Sequence, residues 1–294
     1  MVVKVAVLLK FRFRLQLKEG SVQGLYREKA LKCRLFMHIK GRFEMVVLVT
    51  GASSGFGEAM VRKFAQQGHR VIAAARRLDR LQALQAELGD RVLPVELDVT
   101  DKASIAKMLE ALSAEWRDID VLINNAGLAL GIAPAQEADL DDWEVMIETN
   151  NKGLVRMTRA LLPHFVQRKN GVIINIGSIA GSTAYPGGNV YGATKAFVDQ
   201  FTLNLRADLI GTGVRACNIA PGLCGGTEFS NVRFKGDDAK AAAVYQGTQP
   251  LTAVDIAETA YWIATLPPHI NINYIEMMPM CQGFGPLAVQ RGVA

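Results

Sequence analysis

The chain of 294 residues has no apolar run approaching the roughly 18 residues that a membrane-spanning helix requires. Its four cysteines, Cys33, Cys217, Cys224 and Cys281, are widely separated and include no Cys-x-x-Cys pair. Its four histidines, His38, His69, His164 and His269, are scattered too. Such spacings provide neither a disulfide framework nor a set of metal ligands, and they favour a reducing compartment. Cys217 and Cys224 read as buried structural thiols. Beyond Met45 there is no internal repeat, low-complexity tract or linker, which points to one domain. An excess of positive charge is also missing from most of the chain. The net charge is +5, yet residues 1–44 alone contribute +8, from 11 Lys/Arg against 3 Asp/Glu. Residues 45–294 carry −3, so a nucleic-acid partner for the whole protein loses its main support.

The first 44 residues form a basic extension unlike the rest. Lys4 and Lys10 interrupt the apolar stretch Val2–Leu9, which makes a poor secretory signal. The segment is rich in arginine and poor in acid like a transit peptide, but it has one serine, Ser21. Met45 then opens a strand-like run. The expectation is that Met45 is the biological start and that residues 1–44 are not part of the native protein; the codons of Lys40-Gly41-Arg42 can spell a purine-rich ribosome-binding sequence. A transit peptide and a basic anchoring or nucleic-acid-binding arm are the rivals, and the intact mass of the native protein separates them.

From Met45 onward, apolar strand-like runs at Val46–Thr50, Arg70–Ala75, Val92–Leu97, Val121–Asn124, Gly171–Gly177, Val214–Ile219 and Asn273–Met278 alternate with amphipathic stretches. Valine and isoleucine dominate the runs, and most lack polar alternation, as strands buried on both faces do. Helices are expected near 56–67, 78–88, 102–116, 139–168, 190–210 and 252–265. Asp101 and Thr252 stand at N-cap positions, and Gly68, Gly89 and Gly211 stand where helices end. The alternation predicts an α/β fold, a Rossmann-type doubly wound parallel sheet of about seven strands with helices on both faces.

Thr50-Gly51-Ala52-Ser53-Ser54-Gly55-Phe56-Gly57 follows the first strand and opens a helix. Its glycines let the backbone turn tightly against a pyrophosphate, and the helix amino terminus supplies N–H groups and a favourable dipole. A dinucleotide site that prefers a free ribose 2′-hydroxyl places a carboxylate about 20 residues past the glycines. Here the second strand ends in Arg76-Arg77 instead, whose guanidinium forks suit a 2′-phosphate, with Ser53 as a further donor. NADP is therefore expected over NAD. Asp98-Val99, at the end of the third strand, can meet the adenine amino group. In Asn124-Asn125-Ala126-Gly127, small residues admit the adenosine ribose and the amides can brace neighbouring strands.

Ser178 stands at the end of the fifth run, and thirteen residues later Tyr191-Gly192-Ala193-Thr194-Lys195 opens a long helical stretch. A separation of four places Tyr191 and Lys195 on one helix face. A free phenol with a pKa near roughly 10 is too weak a base at neutral pH, and a nearby ammonium favours the phenolate. Tyr191 is thus the candidate general acid and base for an alcohol–carbonyl interconversion, Ser178 holds the substrate oxygen, and Lys195 supports both and can bond the nicotinamide ribose.

With these motifs in place, residues 45–294 resemble the short-chain dehydrogenase/reductase family over their whole length. The matching elements are the glycine loop at 50–57, Asn-Asn-Ala-Gly at 124–127, Ser178, Tyr191/Lys195 and Pro221-Gly222. The resemblance implies that Asn150, three residues before Gly153, is the family's catalytic asparagine, with Asn151 the weaker candidate. It implies cofactor contacts from Gly51, Ser53, Ser54, Gly55, Phe56, Gly57, Asn125, Pro221, Gly222 and Thr227, although Thr227 comes one residue later than usual. Asn150–Gly153, Gly187–Lys195 and Gly225–Asp238 are similar to those of the bacterial NADP-dependent 3-hydroxy acid dehydrogenases. That likeness implies hydride transfer at C3 of L-allo-threonine, L-serine or 3-hydroxypropionate, or reduction of the matching 3-oxo acid or semialdehyde, by a cytoplasmic homotetramer whose chain starts at the position of Met45. Arg233, rather than Lys235, is the suggested partner of a substrate carboxylate. The apolar closing segment from Glu276 to Ala294 is a candidate subunit contact. The alternatives are a reductase for bulkier carbonyls, with Tyr185, Phe229 and Phe234 as pocket walls, and a non-catalytic NADP-sensing scaffold.

Overall fold

The computed structural model describes residues 44–284. The chain divides between Glu44 and Met45, and all that follows concerns the second unit. The reading of residues 1–44 as a dispensable extension and the end of the closing segment lie outside the described residues.

Seven strands form one parallel sheet in the order β3-β2-β1-β4-β5-β6-β7. They are β1 (Val46–Thr50), β2 (Arg70–Ala75), β3 (Val92–Glu96), β4 (Val121–Asn124), β5 (Gly171–Ile176), β6 (Val214–Pro221) and β7 (Tyr274–Met277). Every residue of β1, β4 and β5 is buried, which accounts for their unbroken apolar character. The edge strands β3 and β7 are partly exposed and include a proline and charged residues.

The helices are α1 (Gly55–Gln66), α2 (Leu78–Leu88), α3 (Lys102–Ala111), α4 (Ala114–Arg117), α5 (Leu140–Ile147), α6 (Leu154–Arg168), α7 (Asn189–Asp208), α8 (Phe229–Arg233), α9 (Asp238–Ala243) and α10 (Ala253–Thr265). One core joins the sheet to α1, α2 and α10 through Met60, Phe64, Leu81, Leu84, Ile256 and Ile263. The other joins it to α3, α4, α6 and α7 through Ile105, Met108, Trp116, Met157, Leu161, Phe165 and Leu205. The molecule is thus doubly wound, and the strand order reverses between β1 and β4, where the loops part to form a crevice.

Local chemistry sets the element ends. Asp101 accepts the Ala103 N–H to cap α3, and Thr252 with Asp255 forms a capping box on α10. Two expected helices are interrupted. The stretch 102–116 breaks at Leu112, whose backbone is extended (ψ 127°), before α4 begins. The stretch 139–168 is α5 and α6 joined by one wide π-turn, Glu148–Gly153. That extra width turns both Asn150 and Asn151 inward, where they are buried.

Three asparagines stand side by side across the carboxyl ends of β4, β5 and β6, with Asn124 opposite Asn175 and Asn175 opposite Asn218. The Asn124 amide donates to Asn175 Oδ1 at 2.8 Å and to Thr158 Oγ1 at 2.9 Å. Asn175 donates to Thr202 Oγ1 of α7 at 2.8 Å, and Asn218 donates to the Asp199 carboxylate of α7. This ladder fixes α7 against the strand ends that carry Ser178 and the Gly222 loop.

Candidate active site

A cleft of about 370 Å³ opens over the strand reversal, lined by the glycine loop, the ends of β2 to β5, α7 and the segment after β6. At its base, Thr50 Oγ1 donates to the Ile123 carbonyl and accepts the N–H groups of Asn125 and Ala126, each at 3.0 Å. The Asn125 amide returns to the carbonyls of Thr50 and Gly51. Gly51 and Gly55 have φ of +65° and +55°, where side chains are strained. A Cβ on Gly57 would collide with the Gly51 carbonyl and the Asn125 amide. The loop is therefore a cradle whose surface is backbone, with the amino terminus of α1 beneath it.

Of the two arginines after β2, Arg76 is exposed on the cleft's rim, whereas Arg77 is fastened into it. Arg77 donates from Nε to Ser53 Oγ at 3.1 Å and from Nη2 to Ser54 Oγ at 2.8 Å. Its Nη1 and that of Arg80 hold the two carboxylate oxygens of Glu228, at 2.9 and 2.6 Å. Neither Arg80 nor Glu228 was evident from the sequence, since Glu228 lies 151 residues from Arg77. Asp98 lines the same end, with Oδ1 accepting the backbone and hydroxyl of Thr100. Val99 is buried against Gly153.

At the other end Tyr191 and Lys195 are both buried on α7. The Lys195 ammonium donates to the Ile176 carbonyl at 2.8 Å and lies 5.8 Å from the centre of the Tyr191 ring. Ser178 accepts the Ala180 N–H, donates to the Pro221 carbonyl and stands beside the Tyr191 phenol, which it helps to make more acidic. From the four-residue spacing alone the phenol was expected to be made more acidic by its lysine. In the folded chain burial dominates and pushes Tyr191 up to about 12, while Ser178 and the Arg233 guanidinium pull it down. Burial likewise brings Lys195 down to about 8, opposed by Asp199 one turn further along α7. Asp199 is itself pushed up to about 6 by burial, against the pull of Asn218 and Lys195.

Asn150 sits in the π-turn, its Oδ1 accepting the Leu128 N–H and its amide donating to the Leu128 carbonyl and Thr194 Oγ1. It thus ties the loop after β4 to the α7 turn that carries Tyr191 and Lys195. Asn151 donates to the Thr194 carbonyl. Pro221 closes β6, Gly222 bonds the Met277 carbonyl, and Thr227 lies against Gly55 while accepting the Phe229 N–H. Arg233 packs 5.3 to 5.9 Å from the rings of Tyr191, Tyr185 and Phe229, bonds the Tyr185 hydroxyl and pairs with Gly131 through backbone and side chain. Lys235, by contrast, is engaged by Asp139 and Asp142. Among the described residues no group of histidine, cysteine or carboxylate side chains could hold a metal ion.

A glycine cradle, an arginine-lined pocket beside it and a buried Tyr–Lys pair next to Ser178 at the carboxyl end of β5 agree with a sequence-family match: a short chain dehydrogenase model aligns with residues 45–238. The chain belongs to the short-chain dehydrogenase family. It is 62% identical over 247 residues to the NADP-dependent 3-hydroxy acid dehydrogenase YdfG of Salmonella typhi, covering 84% of this chain and all of that protein. It is 49% identical over 245 residues to a serine 3-dehydrogenase of Agrobacterium fabrum, covering 83% and 98%. A solved closed form of serine dehydrogenase complexed with NADP+ superposes with a TM-score of 0.81 at 62% identity, covering 82% of this chain and 97% of that one. Within this short-chain dehydrogenase, the expected bracing by Asn124 is present, and the side chains missed in the sequence were those whose partners are far away in it: Arg80, Glu228, Asp199 and the ladder members Asn175 and Asn218.

Proposed function

We propose that the protein is an NADP-dependent oxidoreductase that moves hydride at C3 of small 3-hydroxy acids, such as L-allo-threonine, L-serine and 3-hydroxypropionate, or reduces the matching 3-oxo acid or semialdehyde. One observation carries this reading. The cleft joins a phosphate cradle flanked by Arg77, Ser53 and Ser54 to a buried Tyr191 that has Ser178 beside its phenol and Lys195 one turn later. The residues fit the cofactor: its pyrophosphate matches the cradle of Gly51, Ser54, Gly55 and Phe56 over α1, and its 2′-phosphate matches Arg77 and Ser53 with Arg76 at the rim. Asp98, Val99, Asn125 and Gly57 shape the adenosine side, and Pro221, Gly222 and Thr227 cover the nicotinamide side. Bound there, NADP supplies the acceptor or donor of hydride.

The chain's own residues handle the proton. Ser178 holds the substrate oxygen by a hydrogen bond, and Tyr191 takes the hydroxyl proton as hydride leaves the carbon, or returns it in the reverse reaction. Tyr191 is costly to ionise where it is buried, so cationic neighbours must favour its phenolate in the reacting complex; Arg233 and Lys195 lie 5.3 and 5.8 Å from its ring centre. Asn150 positions the turn that carries both. Tyr191→Phe is expected to lower kcat by at least about a thousandfold with NADP affinity retained, measured by NADPH formation and by binding titration. Retained turnover would remove Tyr191 from the proton step.

Arg233 is the proposed carboxylate anchor. It lies against the ring of the candidate base, whose apolar neighbours include Tyr185, Phe229 and Trp143. Arg233→Ala is expected to raise KM for L-allo-threonine at least about tenfold, the loss of one charge-assisted contact, while a neutral secondary alcohol is affected little. A panel of L-serine, L-allo-threonine, 3-hydroxypropionate, 3-hydroxybutyrate and a steroid alcohol tests the substrate class; activity on the steroid alone would favour the bulkier-carbonyl reductase. The buried Tyr191 and Lys195, lining the cleft with Ser178 beside the phenol, speak against a non-catalytic scaffold.

We further propose a cytoplasmic homotetramer, with residues 1–44 as a dispensable extension. Apolar side chains remain exposed on two separate faces, Phe197 and Leu203 on α7, Val254 and Trp262 on α10. Light scattering on the purified protein tests the assembly, and a monomer at micromolar concentration would exclude it. No helix among the described residues is long and apolar enough to cross a membrane.

A further inference from the structure

We infer that Glu228 is a specificity-determining residue, a carboxylate of the protein's own that competes with the 2′-phosphate of the cofactor for Arg77 and Arg80. The inference rests on the reading of this cleft as an NADP site. Its ground is that each of the three nitrogens of Arg77 already has a partner. Nε and Nη2 are taken by Ser53 and Ser54, and Nη1 by one oxygen of Glu228, whose other oxygen is held by Arg80. Donors that a 2′-phosphate would use, on Arg77 and on Arg80, are thus already bridged by an anion. Arg80 and Arg77 hold the Glu228 carboxyl below its ordinary value, which favours its anionic form.

A phosphate carries up to two charges and three acceptor oxygens, and it cannot share one guanidinium with a carboxylate without like-charge repulsion. Binding of NADP must therefore displace Glu228 or bear that repulsion, and binding of NAD involves neither. The affinity for NADP is reduced by the fraction of molecules in which the carboxylate occupies the arginines. Glu228 also stands at the amino end of α8, the helix that carries Phe229 and Arg233 to Tyr191. Displacing its carboxylate frees the tie between α8 and α2 at the moment the phosphate arrives. The cofactor's adenosine end is in this way coupled to the helix over the reacting end.

The test is calorimetric titration of the full chain with NADP+, NAD+ and adenosine 2′,5′-bisphosphate, comparing wild type with Glu228→Gln. All three participants are roughly half exposed, so the effect is modest: NADP+ and the bisphosphate should bind about fivefold tighter to Glu228→Gln, with NAD+ unchanged within about twofold. The gain should shrink at about 1 M salt, where the ion pairs are screened. In the free protein, hydrogen exchange of residues 229–236 should quicken in Glu228→Gln, because the tie to α2 is gone. Unchanged or weaker NADP+ binding in Glu228→Gln would overturn the inference, the latter by showing that the carboxylate positions the arginines for the phosphate. Arg77→Ala separates the two levels. If it leaves the NADP/NAD preference intact, the cofactor reading itself fails; if it abolishes the preference while Glu228→Gln changes nothing, only the competition fails.

Discussion

At the scale of single residues, the candidate site depends on what is small as much as on what is charged. Gly57 is buried on the first turn of α1, and the space a side chain would need is filled by the Gly51 carbonyl and the Asn125 amide. Both of those groups belong to the clamp between β1 and β4, so neither can yield cheaply. Gly57→Ala is expected to destabilise the fold by about 2–3 kcal/mol and to open the phosphate cradle; urea unfolding and NADP+ titration would register both. Charge at this scale follows burial. Asp199 has a folded pKa of about 6 against an ordinary value of 3.8. Between those two values the folded chain binds more protons than the unfolded one, so this residue's contribution falls as pH rises from about 4 to about 6 and is fully unfavourable above. Asp199→Asn should raise stability at pH 8 by about 1 kcal/mol, after allowance for solvent screening and for the attraction to Lys195 that is lost, and change nothing at pH 3.5. Thermal unfolding at the two pH values checks the sign. The same substitution removes an anion that keeps Lys195 protonated, and the alkaline limb of kcat/KM should move to lower pH.

Elements join these residues through contacts that are remote in sequence. Strand–helix alternation, the Val/Ile runs and the capping residues Asp101 and Thr252 made the sheet and most helices legible, because each of those signals is local. The π-turn was not: Glu148-Thr149-Asn150-Asn151-Lys152-Gly153 reads as ordinary helix, and the widening follows from seating two asparagine side chains against Leu128 and Thr194. Nor were the ladder members Asn175 and Asn218, since register across β4, β5 and β6 is set by the whole sheet. Asn175 is fully buried and links Asn124 to Thr202. Asn175→Ala removes two buried hydrogen bonds and leaves their partners short of one each, a cost of about 2–4 kcal/mol. It should also loosen α7 against β5, so that kcat falls more than NADP affinity. Chemical denaturation together with steady-state kinetics distinguishes this from a purely global loss.

For the whole molecule, charge and family resemblance divide the chain at the same place. Residues 1–44 hold the entire positive balance, whereas residues 45–294 are slightly acidic, and the family match begins at residue 45. The strand that follows is complete at once: Val46 donates to the Asp120 carboxylate, Met45 to His69, and the Met45 carbonyl receives the Arg70 N–H. Met45 and Val46 are thus already among the residues that seat β1 between β2 and β4. A chain of residues 45–294 is therefore expected to unfold within about 2 °C of the full-length protein, the shift of an effect below about 0.5 kcal/mol in a domain of this size. Its kcat and its NADP/NAD preference should be the same within about twofold. Its elution from a cation-exchange column should move to much lower salt, because eight positive charges leave with the extension. A drop of ten degrees or more, or a lost preference for NADP, would make residues 1–44 part of the working enzyme and end the proposal that the dehydrogenase domain stands alone.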